Sequence, residues 1–150
     1  MILVDTSVWV EHLRTGDERL TAWLNRGEVL GHPFVIGELA LGNLHRRAAF
    51  LSHLQDLPQA VVASDEEVLR LIDLHALFRR AIGYVDAHLL AAALLTAGSK
   101  LWTRDRRLQA VAAQLGLAAA LSHWTGIAAN SPPHRPRGSL QGGGSRSFFG

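Results

Sequence analysis

Residues 1–9 read MILVDTSVW. Ile2, Leu3 and Val4 form a short unbroken apolar run, the pattern of a strand covered on both faces. Strands of that kind belong to parallel sheets, whose neighbours are joined by crossovers of a dozen or more residues, usually helices. The chain downstream supplies such connections. Helical stretches are expected at about 6–14 and 18–26, before a short strand at 29–31. His32-Pro33 breaks the chain ahead of a helix over 34–44, and another helix covers 47–54. Ala60-Val61-Val62-Ala63 reads as a third strand. Ser64, with Glu67 three residues on, forms the signature of a capping box that opens a helix running to about residue 80. Gly83 precedes a helix over 84–97, and Gly98 ends it. Residues 101–103 read as a fourth strand, 106–115 as a helix and 118–121 as a last short strand. The alternation predicts an α/β fold with a central, mostly parallel sheet of four to five strands and helices on both faces.

Bulk properties agree with a soluble globular chain. Hydrophobic residues make up 48% and charged residues 19% of 150 residues, enough for one domain with a sizeable core. The absence of cysteine excludes a disulfide framework and any thiolate zinc site, and it suits the cytoplasm. No secretory signal is expected, because the apolar start is only four residues long and has no basic flank. The longest apolar stretch, 89–95, is far short of the roughly 20 residues that cross a bilayer. No membrane association is expected.

The basic balance sits in the tail. Residues 1–125 hold twelve Lys and Arg against thirteen Asp and Glu, whereas Arg135, Arg137 and Arg146 follow afterwards. The folded part therefore has no overall basic face for nucleic acid. Local pairs and clusters, Arg46-Arg47, Arg79-Arg80 and Arg104-Arg106-Arg107, are either solvated helix surface or phosphate contacts. The segment from about Asn130, rich in Pro, Gly, Ser and Arg, is too polar to offset its ordering entropy. The expected organisation is a domain over 1–128 and a disordered tail over 129–150.

Four acids stand in apolar company. Asp5 ends the first strand, and Asp105 in KLWTRDRRL follows the fourth in the same way. In open parallel sheets, sites gather at the carboxyl ends of strands. Glu38 in PFVIGELALG has only apolar or glycine neighbours at helical spacing, and no cation at i±4. Asp86 in GYVDAHLLAAALL lies in the first turn of a helix that is apolar nearly all round. Each has a plainer reading: Asp5 and Asp105 as helix caps, Asp86 as a favourable acid at a positive helix end, and Glu38 as an exposed stripe-edge residue. Taken together, the acids can meet at one edge of a parallel sheet. Two carboxylates 4 Å apart repel by about 4 kcal/mol at an effective dielectric of 20. Such a cluster needs protonation or a cation between its members. An all-oxygen set points to Mg²⁺ or Mn²⁺. Ser7 and Thr103 are placed to hydrogen-bond a carboxylate or a metal-bound water.

In order and spacing, VDTSVW, ELALG, YVDAHLLAAAL and LWTRDRRL resemble the PIN-domain nucleases, and among them the toxin ribonucleases of VapBC-type toxin–antitoxin pairs. The resemblance covers residues 1 to about 125. It implies that Asp5, Glu38, Asp86 and Asp105 are the catalytic acids and metal ligands, with Thr103 as the hydroxyl before the last of them. Ser7 and Thr103 would hold carboxylates in place. Arg104 and Arg107 are candidates for the RNA backbone. Many members carry a further acid just past the last aspartate, where this chain has Arg106 and Arg107. The implied activity is Mg²⁺- or Mn²⁺-dependent hydrolysis of RNA by a homodimer, silenced by a small cognate antitoxin.

Other features read as structural. The eight histidines include no HExxH and no pair at i, i+4. His88 is read as a helix-face residue or one at the site edge. Trp9, Trp23 and Trp102 suit core packing better than base stacking. A receiver-like domain needs a lysine at a late strand end, and the only lysine, Lys100, precedes its strand. A haloacid-dehalogenase-type phosphatase needs DxD where this chain has DTS. The remaining alternatives are an RNA-processing PIN nuclease without a toxin role, and an inactive PIN-like interaction module.

Overall fold

The computed structural model describes residues 1–121. The end of the domain and the expected tail lie outside the described residues. Strand β1 (Ile2–Val4) is central. Strand β2 (Val29–Leu30) pairs with it in parallel on one side, Ile2 opposite Val29 and Leu3 opposite Leu30. On the other side β3 (Lys100–Trp102) runs parallel, with Leu3 opposite Leu101 and Val4 opposite Trp102. Single parallel bridges extend the sheet at both edges, Gly31 to Gln59 and Leu101 to Ala118. The expected fifth strand is present only as the bridge at Ala118, and the expected third strand over 60–63 is not formed, since the bridge on that side lies one residue earlier, at Gln59. After Ala60 the chain leaves the edge, because the Val61 amide donates to Thr96 Oγ1 (2.9 Å) and not to a strand carbonyl. Val61 and Val62 are half exposed as a result.

The resulting order, with the two bridges included, steps outward from β1 in one direction and then returns to its other side. Right-handed crossovers in opposite directions place helices on opposite faces of a sheet. The burial of all three β1 residues, which alternate between the faces, fits coverage on both sides.

The helices are α1 (Thr6–Thr15), α2 (Glu18–Asn25), α3 (Pro33–Ala40), α4 (Arg47–Asp56), α5 (Asp65–Leu74), α6 (Tyr84–Leu95) and α7 (Arg106–Gln114). Helix α3 begins with proline at its first position, where the missing amide costs nothing. Helix α5 carries the complete capping box: Ser64 Oγ accepts from the Glu67 amide (3.1 Å), and Glu67 Oε1 accepts from the Ser64 amide (3.0 Å). It ends earlier than the sequence predicts. Ala76 takes a φ of 50°, which no α-helix continues through, and one 3₁₀ turn (Leu77–Arg79) follows before Ala81 at a φ of 55°. Helix α6 buries seven consecutive residues, 87–93, as an all-round apolar helix must. Trp9 packs edge-on to Phe50 (6.0 Å between ring centres) in the core, Trp102 is buried and Trp23 is partly so. Trp124 lies outside the described residues. No described helix is long and apolar enough to cross a membrane.

Candidate active site

The reversal in strand order falls between β1 and β3, and both strands deliver acids at their carboxyl ends. Asp5 follows β1 and takes the N-cap position of α1, yet its side chain makes no capping bond. It is buried, at 6% exposure. Its Oδ2 instead accepts from Ser7 Oγ (2.7 Å) and from Thr103 Oγ1 (2.8 Å). Those hydroxyls are themselves acceptors, Ser7 Oγ from the Arg104 amide and Thr103 Oγ1 from the Asp105 amide, each at 3.0 Å. A hydroxyl has one proton to give. With both protons directed to Asp5, the 3.4 Å approach of Ser7 Oγ to Thr103 Oγ1 is a contact between acceptors. The Asp5 amide donates to Trp102 O (2.9 Å), so the two strand ends are joined by backbone as well.

Asp105 is exposed and does cap its helix: Oδ1 accepts from the amides of Arg107 (2.9 Å) and Leu108 (3.1 Å). Asp86, in the first turn of α6, accepts from the Gly83 amide through Oδ2 (3.0 Å). Glu38 on α3 is exposed as a residue and accepts from Thr6 Oγ1 through Oε1 (3.3 Å). The plainer capping readings thus hold for Asp105 and Asp86 and fail for Asp5. They do not exhaust the carboxylates. In each of the four, one oxygen is occupied and the other receives no hydrogen bond from the described residues.

Electrostatics links the four acids. Partial burial pushes the Glu38 carboxyl above its ordinary value, the charges of Asp5 and Asp86 push it further, and the Thr6 hydroxyl opposes them. Burial likewise raises Asp86, against the Gly83 amide and with the charges of Asp5 and Asp105. Asp5 acts on both Glu38 and Asp86, and Asp105 acts on Asp86 as well. The structure therefore brings all four predicted acids into one field. Among the described residues, no three converge to the spacing of a closed metal cage. The set is oxygen-only, with four unoccupied carboxylate oxygens. That donor set fits a hard ion such as Mg²⁺, which keeps several waters and takes one or two carboxylates directly.

Arg104 and Arg107 are exposed beside Asp105. His88, which the sequence left between a helix face and the site edge, is buried at 1%. Its ring packs on Phe34 (4.5 Å) and against Tyr84 (4.7 Å, perpendicular). Its Nε2 lies 3.3 Å from Asp65 Oδ1, within ion-pair reach but without hydrogen-bond geometry. Sequence reasoning passed over Thr6, the Gly83 amide and His32. Thr6 sits between two highlighted residues in DTS and was legible there as a further hydroxyl. His32 read only as part of a break; in fact its Nδ1 accepts from the Phe34 amide (3.0 Å) and starts α3.

A parallel sheet with acids at the carboxyl ends of its central strands, and on the helices beside them, defines the PIN domain. A PIN domain family model matches residues 2–114, and the chain belongs to that family. Within it the chain is 50% identical, over 120 residues, to ribonuclease VapC32 of Mycobacterium tuberculosis, in strain CDC 1551 / Oshkosh and in strain ATCC 25618 / H37Rv. The match covers 80% of this chain and 97% of each relative, and it makes this a VapC-type member.

Proposed function

We propose that the chain is a divalent-metal-dependent endoribonuclease acting as the toxin of a toxin–antitoxin pair. The carrying observation is the coupled acid set at the β1 and β3 ends, each acid keeping one oxygen open. The 50% identity to a ribonuclease over nearly that protein's whole length supports the substrate class.

Asp5, Asp86 and Asp105 would hold Mg²⁺ or Mn²⁺, directly or through water, with Glu38 as a ligand or as the base that orients the attacking water. When bound, a divalent ion acidifies water and neutralises charge that builds on the phosphate. Ser7 and Thr103 aim Asp5 by fixing its Oδ2, so that the other oxygen faces the site. The raised Glu38 carboxyl is better suited to accept a proton near neutrality than an ordinary glutamate. Arg104 and Arg107 position the RNA backbone as exposed cations beside Asp105. The expected partners are RNA, a small antitoxin that lays a helix into an apolar groove and directs an arginine toward the acids, and a second copy of the chain. The expected setting is the cytoplasm.

The test compares the protein with its Asp86→Asn variant on structured RNA, with Mg²⁺ or Mn²⁺ and with chelator. Cleavage that needs the metal and disappears in the variant supports the reading. No cleavage, together with no Mn²⁺ binding by calorimetry, sinks it in favour of an inactive interaction module. Size-exclusion light scattering tests the dimer, which a monomer at micromolar concentration would rule out.

A further inference from the structure

Beside Asp86 lies an open cavity of about 240 Å³. Leu77 is its buried apolar side, with Ile72 and Ile82 partly buried next to it, and Phe78 and Tyr84 are its exposed aromatic walls. Gly83 also lines it, and the Gly83 amide is the group that holds Asp86 Oδ2. One residue therefore belongs to both the cavity and the acid site.

The two aromatic walls differ in how they are held. Phe78 is 67% exposed, unusual for a phenylalanine with no covering element, and it sits on the 3₁₀ turn between the left-handed Ala76 and Ala81. Left-handed backbone is unfavourable for alanine, and such strain gathers at working surfaces. Tyr84 is pinned by its hydroxyl, which donates to Asp65 Oδ1 (2.9 Å), and by the perpendicular His88 ring. The Arg79 guanidinium lies 5.6 Å over the Phe78 ring. Its neighbour Arg80 is held by Gln114 Oε1, on α7.

We propose that this cavity is a nucleobase subsite: an unpaired RNA base next to the cleaved phosphodiester stacks on Phe78 and enters between Phe78 and Tyr84. The proposal rests on the ribonuclease reading. Three properties favour a nucleotide over an apolar protein surface. The space is a small concavity with aromatic faces, which every base stacks on. A cation stands at its lip, where the backbone phosphate of a stacked nucleotide passes. And it adjoins the acid site, since Gly83, which lines it, holds Asp86 through its amide.

The test uses Phe78→Ala and Phe78→Tyr in the full chain. Two readouts are taken: kcat/KM for metal-dependent cleavage of single-stranded RNA, and affinity for short fluorescein-labelled homopolymers of each base and the matching abasic strand, measured by anisotropy in chelator. Loss of one base stack is worth about a tenfold to hundredfold change. Phe78→Ala is expected to lose that much in kcat/KM and in preference for base-bearing over abasic RNA, while Phe78→Tyr stays within about twofold of the parent. Parental cleavage with unchanged kcat/KM in Phe78→Ala overturns the subsite and leaves the nuclease standing. An equal loss for abasic and base-bearing strands overturns it as well. So does conversion of a dimer to a monomer, which would assign Phe78 to self-association. If the parent cuts no RNA, the nuclease reading fails, and the anisotropy decides alone: a base preference lost in Phe78→Ala supports the subsite, and no preference in the parent overturns it.

Discussion

Asp5 shows how much one side chain is constrained by two hydroxyls. Thr103 gives its proton to Asp5 and its lone pair to the Asp105 amide, so it aims one acid and fixes the loop of another. Residues that orient a metal ligand typically change metal affinity by 10–100-fold when removed. Thr103→Val is expected to weaken Mn²⁺ binding by about that factor, and Thr103→Ser to restore most of it, as read by calorimetry. Equal affinity in the valine variant would show that Asp5 needs no such support. His32 makes a separate case. Burial first, and the nearby His88 second, hold its pKa down from 6.5 to about 4. A depressed folded-state value means that the unfolded chain takes up the proton first. The stability contributed by neutral His32 is present above pH 6.5 and is lost as pH falls toward 4. The full effect is roughly 3 kcal/mol. Chemical denaturation between pH 7 and 4.5 is expected to show a steeper loss in the parent than in His32→Asn, which keeps an acceptor for Phe34 but does not titrate; parallel curves would refute it. At this scale the acids were legible, because an acid after an apolar strand or within an apolar helix stands out. Thr6 was legible as a hydroxyl in DTS but not as the donor to Glu38, and the Gly83 amide was not legible at all, because both roles depend on where α3 and α6 run.

Elements were legible where local chemistry decides them. Ser64 and Glu67 announce the start of α5, and the structure contains both bonds of the box. Replacing Ser64 with Ala is expected to lower stability by about 1 kcal/mol in chemical denaturation, with RNA cleavage unchanged. A change under a few tenths would mean that packing against α6, and not the cap, sets that helix. The end of α5 was illegible. Ala76 and Ala81 are good helix formers by composition, yet both take a left-handed φ, and Leu77 between them is buried in the core. The stretch 60–63 misled in the opposite sense. Its valines have strand propensity, but at the edge the Val61 amide meets the Thr96 side chain, and the ladder stops at Gln59.

At the level of the molecule, the class of fold followed from alternation, but the strand order did not. Pairing is a long-range property, and nothing local says that β3 returns to lie beside β1. That return creates the site, so the position of the acids relative to one another was an expectation until the topology was known. Their mutual repulsion has a global effect. Glu38 and Asp86 are raised by burial first and then by neighbouring acids, Asp5 and Asp86 for Glu38 and Asp5 and Asp105 for Asp86, so the metal-free fold loses stability as pH climbs above their ordinary values and both ionise. A bound cation reverses this. At a hundredfold excess over its dissociation constant a ligand adds about 2.7 kcal/mol. Mn²⁺ is therefore expected to raise the melting temperature of the parent by several degrees at pH 7, and to have little effect on Asp5→Asn. A rise of equal size in both would place the ion elsewhere.

The hydroxyl clasp between Ser7, Thr103 and Asp5 also sets a time. Its two sides are 98 residues apart in sequence. During synthesis at about 5–20 residues per second, Asp5 exists for roughly 5–20 seconds before Thr103 is made. Throughout that interval the first acid has no strand β3 to lie beside and no second hydroxyl to orient it. On the reading proposed above, the acid set would therefore be incomplete throughout that interval, and a growing chain would gain its cutting centre only after β3 and the Thr103 loop are made.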